Sequence, residues 1–169
     1  MWSSDPRHPG RRGLLVALGA GALLAGCGFQ LRQPPRLAFR RIALVGFAKR
    51  SPLEHELARQ LRQQVELLPA PDRAEVVLHA LEDLRERSVV ASTATAEVRE
   101  LQLRVRFVFR AATPGGRELI ARSSLQAQRD MSTRESAALA KAHEEDELFR
   151  ELQADVVAQT LRRLASVVV

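Results

Sequence analysis

Cys27 is the only thiol in the 169 residues, so neither an intramolecular disulfide nor a cysteine-based metal cluster can form. It follows Leu24-Ala25-Gly26 at the exit of an apolar run. Small residues in that place suit a cleavage site, and alkylation of the thiol there would account for a solitary cysteine in an exported chain. A second candidate is the arginine row Arg104, Arg106 and Arg110. On a strand, Arg104 and Arg106 share a face about 7 Å apart, a spacing at which guanidinium forks take phosphate oxygens bidentately. A solvated outer face accounts for the same row equally well. The third is His143-Glu144-Glu145-Asp146-Glu147. It lacks a second histidine at helical spacing, since position 147 is Glu, and reads as an acidic helix start matched to the helix dipole rather than a metal site. His55 and His79 stand alone, as surface or partly buried side chains. There is no G-x-S-x-G, no phosphate-binding glycine loop and no H-E-x-x-H, so no enzyme is expected.

The segment that presents Cys27 has three parts. Arg7, Arg11 and Arg12 come first, then Gly13 to Leu24 built only of Gly, Ala, Val and Leu, then the small residues, which is the layout of a secretory signal. A run of 12 residues is too short to span a bilayer, which takes about 20. Leu-Ala-Gly-Cys is similar to a bacterial lipobox. That implies diacylglycerol on the Cys27 thiol, cleavage before it, and an N-acyl chain such as palmitate on the new terminus, with no other cofactor. Two or more acyl chains suffice for stable anchoring. Arg11-Arg12 hints at a twin-arginine signal, but its surroundings fit the general secretory route better. Gly28, where an Asp would favour retention in the inner membrane, favours the outer one.

Residues 1–26 are thus expected as a signal peptide, 27–40 as a lipidated linker carrying Pro34-Pro35, and 41–169 as one domain. Cleavage leaves 143 residues with 23 Lys and Arg against 19 Asp and Glu, a net charge of +4. That mild, arginine-rich excess suits an anionic lipid. It is too weak and too spread for nucleic acid, and without Trp or Tyr after Trp2 stacking platforms are scarce. Ile42 to Phe47 is a buried-strand run. Ser51-Pro52-Leu53-Glu54 opens a helix with a capping box, and Leu53, Leu57, Leu61, Val65 and Leu68 continue it to Pro69. A second, less regular strand runs from Glu75 to about Val90. In the third, Leu101, Leu103, Val105, Phe107 and Phe109 point one way and Gln102, Arg104, Arg106 and Arg110 the other. Thr113-Pro114-Gly115-Gly116 turns the chain into a fourth strand from Leu119 to Gln128, with Leu119, Ala121, Leu125 and Ala127 inward. Met131 to Ala142 reads as a polar connection or short helix. A last helix spans about Glu144 to Ser166, burying Leu148, Leu152, Val156, Leu161 and Leu164. The expected fold is α+β, with two amphipathic helices on one face of a small, mostly antiparallel four-stranded sheet.

Cys27-Gly28-Phe29-Gln30-Leu31-Arg32 is similar to the opening of the LptE family, lipopolysaccharide-assembly lipoproteins of Gram-negative bacteria. Leu53 to Leu61 with Val65-Glu66-Leu67-Leu68 resembles that family's first helix and its exit. Ala138-Leu139-Ala140-Lys141, Glu144-Glu145-Asp146 and Leu161-Arg162-Arg163-Leu164 resemble its closing helix. The chain departs from the family in ending at Val169 without a polar tail, and in a Val89 to Thr93 loop that lacks a basic residue. The resemblance implies a non-enzymatic plug in the lumen of the outer-membrane β-barrel LptD, which it helps to assemble, and contact with lipopolysaccharide on its way to the cell surface. Within the matching block it makes Lys141 the leading lipopolysaccharide-contact candidate, ahead of Arg104 and Arg106. An ordinary loop lysine is the alternative for Lys141. For the whole chain, the alternative is an accessory or structural periplasmic lipoprotein of another lipid-transport system.

Overall fold

In the computed structural model, residues 35–92, 98–132 and 138–168 are described. Strand β1 (Arg41–Val45) is apolar from Ile42 onward because both of its faces are covered there. Ile42 belongs to the main core beneath the helices, while Ala43 packs with Leu68, Ala74 and Val77 on the other side. Such continuous apolar runs are typical of strands in parallel pairs. β1 pairs in parallel with β2 (Glu66–Leu68) and with β3 (Val76–Ser92). β3 then runs antiparallel to β4 (Val98–Ala112), and β4 to β5 (Glu118–Ser132).

The sheet therefore has five strands in the order β2-β1-β3-β4-β5 and is mixed, not four-stranded and mostly antiparallel. The α+β class stands. The missed strand, β2, lies where helical spacing carried the first helix on to Leu68. Helix α1 (Pro52–Leu61) stops earlier. Val65 still donates its N–H to the Leu61 carbonyl, but the Glu66 N–H goes to the Arg40 carbonyl at 2.8 Å. A neighbouring strand edge supplies backbone partners that one more helical turn before Pro69 could not better. Burial alone does not separate the two readings, since Leu61, Val65 and Leu68 are buried either way. The start of α1 follows expectation: Ser51 caps it, its Oγ accepting the Glu54 N–H at 3.0 Å, with Pro52 in the first turn. The same Oγ donates to the Asp83 carboxylate on β3, tying the helix start to the sheet.

Leu101, Leu103, Val105, Phe107 and Phe109 are buried on the helix side of β4. Phe107 stacks on Phe109 and on Phe47, with ring centroids 5.1 and 5.6 Å apart. Two bulges alter the alternation in the neighbouring strands. One in β3, between Ala80 and Glu82, puts Asp83, Arg85 and Arg87 opposite Phe107, Val105 and Leu103, on the helix side. The other sets β5 back against β4, so that Phe109 meets Ser123 while Ala111 meets Ile120. Ala121, expected inward, is exposed there, whereas Leu125 is buried. Met131, expected in a polar connection, closes β5 as a buried residue.

Helix α2 (Ala138–Ala165) is 28 residues long, about 42 Å at 1.5 Å per residue. From Phe149 onward it buries Phe149, Leu152, Val156, Val157, Leu161 and Leu164 against the sheet. It begins six residues before the expected start at Glu144, so Glu144 to Glu147 do not form its first turn. Their charge lies beyond the reach of the helix-terminal dipole, which fades within one turn; Glu145 and Asp146 instead hold β3 through Arg87 and Arg85. The expected linker ends inside the domain: Leu37 packs against the main core, Phe39 is buried in it, and the Arg40 N–H donates to Glu75.

Candidate functional site

β4 delivers Arg104 and Arg106 to the sheet face opposite the helices. Neither guanidinium stands alone. Arg106 Nε lies 3.4 Å from Glu82 Oε2, and Arg122 Nη2 reaches the other oxygen of the same carboxylate at 3.2 Å. Arg104 Nη1 lies 3.7 Å from Glu86 Oε2, and its Nη2 donates to Gln102 Oε1 at 2.8 Å. Gln102 in turn donates to Asp130 at 3.1 Å. The outer face of β3, β4 and β5 is thus a ladder of alternating charge. Exposed pairs of this kind contribute about 0–1 kcal/mol, so an incoming phosphate could exchange with either carboxylate at little cost. Arg104 Nε is the one buried side-chain nitrogen or oxygen without a hydrogen-bond partner among the described residues. Arg110, the third of the row, lies opposite His79. Burial, and then the Arg110 charge, hold the His79 imidazole below its ordinary pKa.

Lys141 sits on the other side of the molecule, in the opening turns of α2. Its ammonium donates to the Ser132 carbonyl at 2.7 Å and to Glu144 Oε2 at 2.8 Å, which staples the start of α2 to the end of β5. Of the three protons of an ammonium two are used, and the side chain is 29% exposed. Lys141 and the Arg104/Arg106 pair are therefore separated by the sheet and cannot grip one phosphate together. The two helix-side arginines near Lys141 were not singled out from the sequence, although the acids they pair with were. Arg85 pairs with Asp146 at 3.0 Å and lies 3.8 Å over the Phe149 ring, while Arg87 pairs with Glu145 at 3.3 Å. Only the β3 bulge turns both arginines toward α2, and neither propensity nor spacing announces a bulge. Beyond it, Val89 and Val90 are more than half exposed. The segment expected as a loop at Val89 is strand through Ser92, and Thr93 lies outside the described residues.

Cys27, the expected lipidation site, also lies outside the described residues, as does the whole expected signal. Among the described residues no helix is long and apolar enough to cross a membrane, and no three His, Cys, Asp or Glu side chains converge as a metal site. His143 and the acids after it are spread along α2.

The architecture is shared with small bacterial lipoproteins. It is similar to an uncharacterized lipoprotein B from Nitrosomonas europaea (25% identity, TM-score 0.70, covering 82% of this chain and 91% of that one). It is also similar to the rare lipoprotein B from Shewanella oneidensis (26% identity, TM-score 0.63, 75% and 95% covered). A minor lipoprotein from Acinetobacter baumannii (23% identity, TM-score 0.63, 77% and 93% covered) shares the fold. No curated protein matches the sequence. The family model LptE, described as lipopolysaccharide-assembly, matches residues 39–164, well over half of the sequence, and the chain belongs to the LptE family.

Proposed function

We propose that this lipoprotein is anchored in the outer membrane through acylated Cys27, docks in the lumen of an LptD-type barrel, helps that barrel to assemble, and contacts lipopolysaccharide without catalysing a reaction. The observation that carries the reading is the match of the lipopolysaccharide-assembly family to residues 39–164, the same span that folds into the domain. The Lys141 end of α2 supports the lipopolysaccharide contact: it keeps one ammonium proton and part of its surface available, and charge-assisted hydrogen bonds to phosphate are the strong ones. Arg104 and Arg106 form a second, separate contact surface on the outer face.

Affinity purification of the tagged full chain from its host membranes should bring down a large outer-membrane β-barrel stably. Purification with the components of a different lipid-transport system instead would favour the accessory-lipoprotein reading. In a pull-down with purified lipopolysaccharide, Lys141→Glu should weaken binding several-fold, because it removes a charge-assisted donor and adds repulsion. Barrel co-purification should persist, and wild-type binding should fall as salt rises, exposed charges being screened within about 8–10 Å. Unchanged lipopolysaccharide binding in the combined Lys141, Arg104 and Arg106 Glu variant would leave only the scaffold role.

A further inference from the structure

Between α1 and α2, away from both surfaces just described, runs an open groove of about 760 Å³ whose lining includes Arg50, His55, Arg59, Arg62, Arg150 and Gln153. Four guanidiniums on so small a surface are unusual for a chain whose excess charge is otherwise spread out. Glu56 is the acid that lines the groove, which leaves it a formal +3 before His55 is counted. Glu56 is also fully occupied: Arg59 donates to both of its oxygens, at 2.9 and 2.6 Å, and Gln60 adds a third bond at 2.6 Å. Arg150 is oriented by Glu147, which takes two of its N–H groups at 3.3 and 2.9 Å. Arg50 and Arg62 make no ion pair among the described residues.

Two further features mark the groove as more than a solvated helix surface. Arg50 is held with φ at +62°, the one non-glycine residue with positive φ among the described residues. Such a conformation costs an arginine about 1 kcal/mol or more, and here it places the side chain at the groove just ahead of the Ser51 cap. Gln153, one turn on from Arg150, is only 7% exposed. Its amide is not among the buried polar groups left without a partner; it reaches the groove, where it can donate to an anion.

We propose that the α1–α2 groove is a binding site for a phosphomonoester, with Arg62, Arg50 and Arg150 supplying guanidinium donors and the Gln153 amide a neutral one. The choice of anion follows from charge. A carboxylate carries one negative charge and is met by a single fork, as Glu56 is by Arg59. A phosphomonoester carries about −1.5 to −2 and three acceptor oxygens, which matches the two guanidiniums without an ion pair, Arg50 and Arg62, beside the Glu147-oriented Arg150 and the Gln153 amide. The phosphate could be free or part of a lipid headgroup. The groove is independent of the barrel role proposed above: Arg150 lies nine residues along α2 from Lys141, about 13 Å at the helical rise.

The test is calorimetric titration of the detergent-solubilised full chain with inorganic phosphate, with dihexanoyl phosphatidate and with a tetraglutamate peptide. Saturable binding of both phosphates supports the site and names the phosphate group itself as sufficient. Binding of phosphatidate alone supports it with a lipid headgroup as the source. Arg62→Ala combined with Arg150→Ala should weaken either by at least tenfold, with the circular-dichroism melt unchanged because both side chains are exposed. Gln153→Leu, which keeps the buried volume, should weaken binding less. Binding of neither phosphate, binding of the peptide alone, or an affinity unchanged in the arginine variant would each overturn the proposal. Barrel co-purification measured on the same variants reports separately on the function proposed above.

Discussion

His79 lies on the outer face of β3, opposite Arg110 on β4, and its environment works against the charged ring. Desolvation is the larger cause of its lowered pKa and the Arg110 guanidinium the second. An imidazole that holds a proton less readily when folded than when unfolded adds stability above its unfolded pKa, near 6.5, and loses it as pH falls through the lower folded value. Urea midpoints should therefore drop between about pH 7.5 and pH 5, and His79→Gln should flatten that part of the profile. A slope as steep in the variant as in the wild type would remove the burial argument. Two carboxylates act in a different range. Glu75, held down first by the Arg40 backbone N–H, and Glu56, held down first by Arg59, both lie below their ordinary 4.5, so their contribution is intact above that pH and is lost only in more acid solution. None of this was legible in the sequence, where His79 reads as a lone histidine and Arg110 as the end of a row, because strand register brings them together.

Among the elements, Gly46 has the least freedom to change. It ends β1 with φ at +85°, and a Cβ built there would lie 2.4 Å from the Ala80 carbonyl oxygen, at the very residue where β3 bulges. A backbone atom at that distance cannot move aside as a flexible side chain could. Gly46→Ala should destabilise the domain by about 2 kcal/mol or more, the left-handed conformation alone costing about 1–3. A urea midpoint equal to that of the wild type would show that the β1 end and the bulge relax independently. The sequence showed where β1, β3, β4 and β5 lie and which side of β4 is apolar, since Leu101 to Phe109 alternate cleanly. It did not show β2, because a three-residue strand following a helix at matching apolar spacing looks like one more turn. Nor did it place the start of α2, since the first acidic cluster stood in for a helix start that lies a turn and a half earlier.

At the scale of the whole molecule, the two polar surfaces act as separate units because the sheet divides them, and the groove between the helices is a third. The proposed membrane attachment rests on neither face but on Cys27. Cys27→Ala should abolish acylation and cleavage by the lipoprotein route and leave an uncleaved, poorly localised precursor. Labelling with a palmitate analogue checks this, and label retained in the variant would sink the lipobox assignment. Because two acyl chains make anchoring stable, the same variant should lose the barrel from affinity purification even though every residue of the folded domain is intact.

The sequence by itself determined what depends on neighbours in the chain. The lipobox-like tetrapeptide after its apolar run, the capped start of α1 at Ser51, the apolar face of β4 and the family resemblance all rest on contiguous residues or a fixed short period, and a period of two or of 3.6 can be read without knowing what lies across from it. The tertiary structure alone decided what depends on partners distant in sequence. It gave β2 an edge of β1 to pair with, turned Arg85 and Arg87 toward α2 through a bulge, engaged Arg104 and Arg106 with Glu86 and Glu82, and set Lys141 on the opposite side from both. It also drew Arg50, Arg62 and Arg150 from two helices and a turn into one groove. The reason is that a side chain's charge is a property of the residue, whereas whether that charge is neutralised or left for a ligand is a property of the residues packed against it.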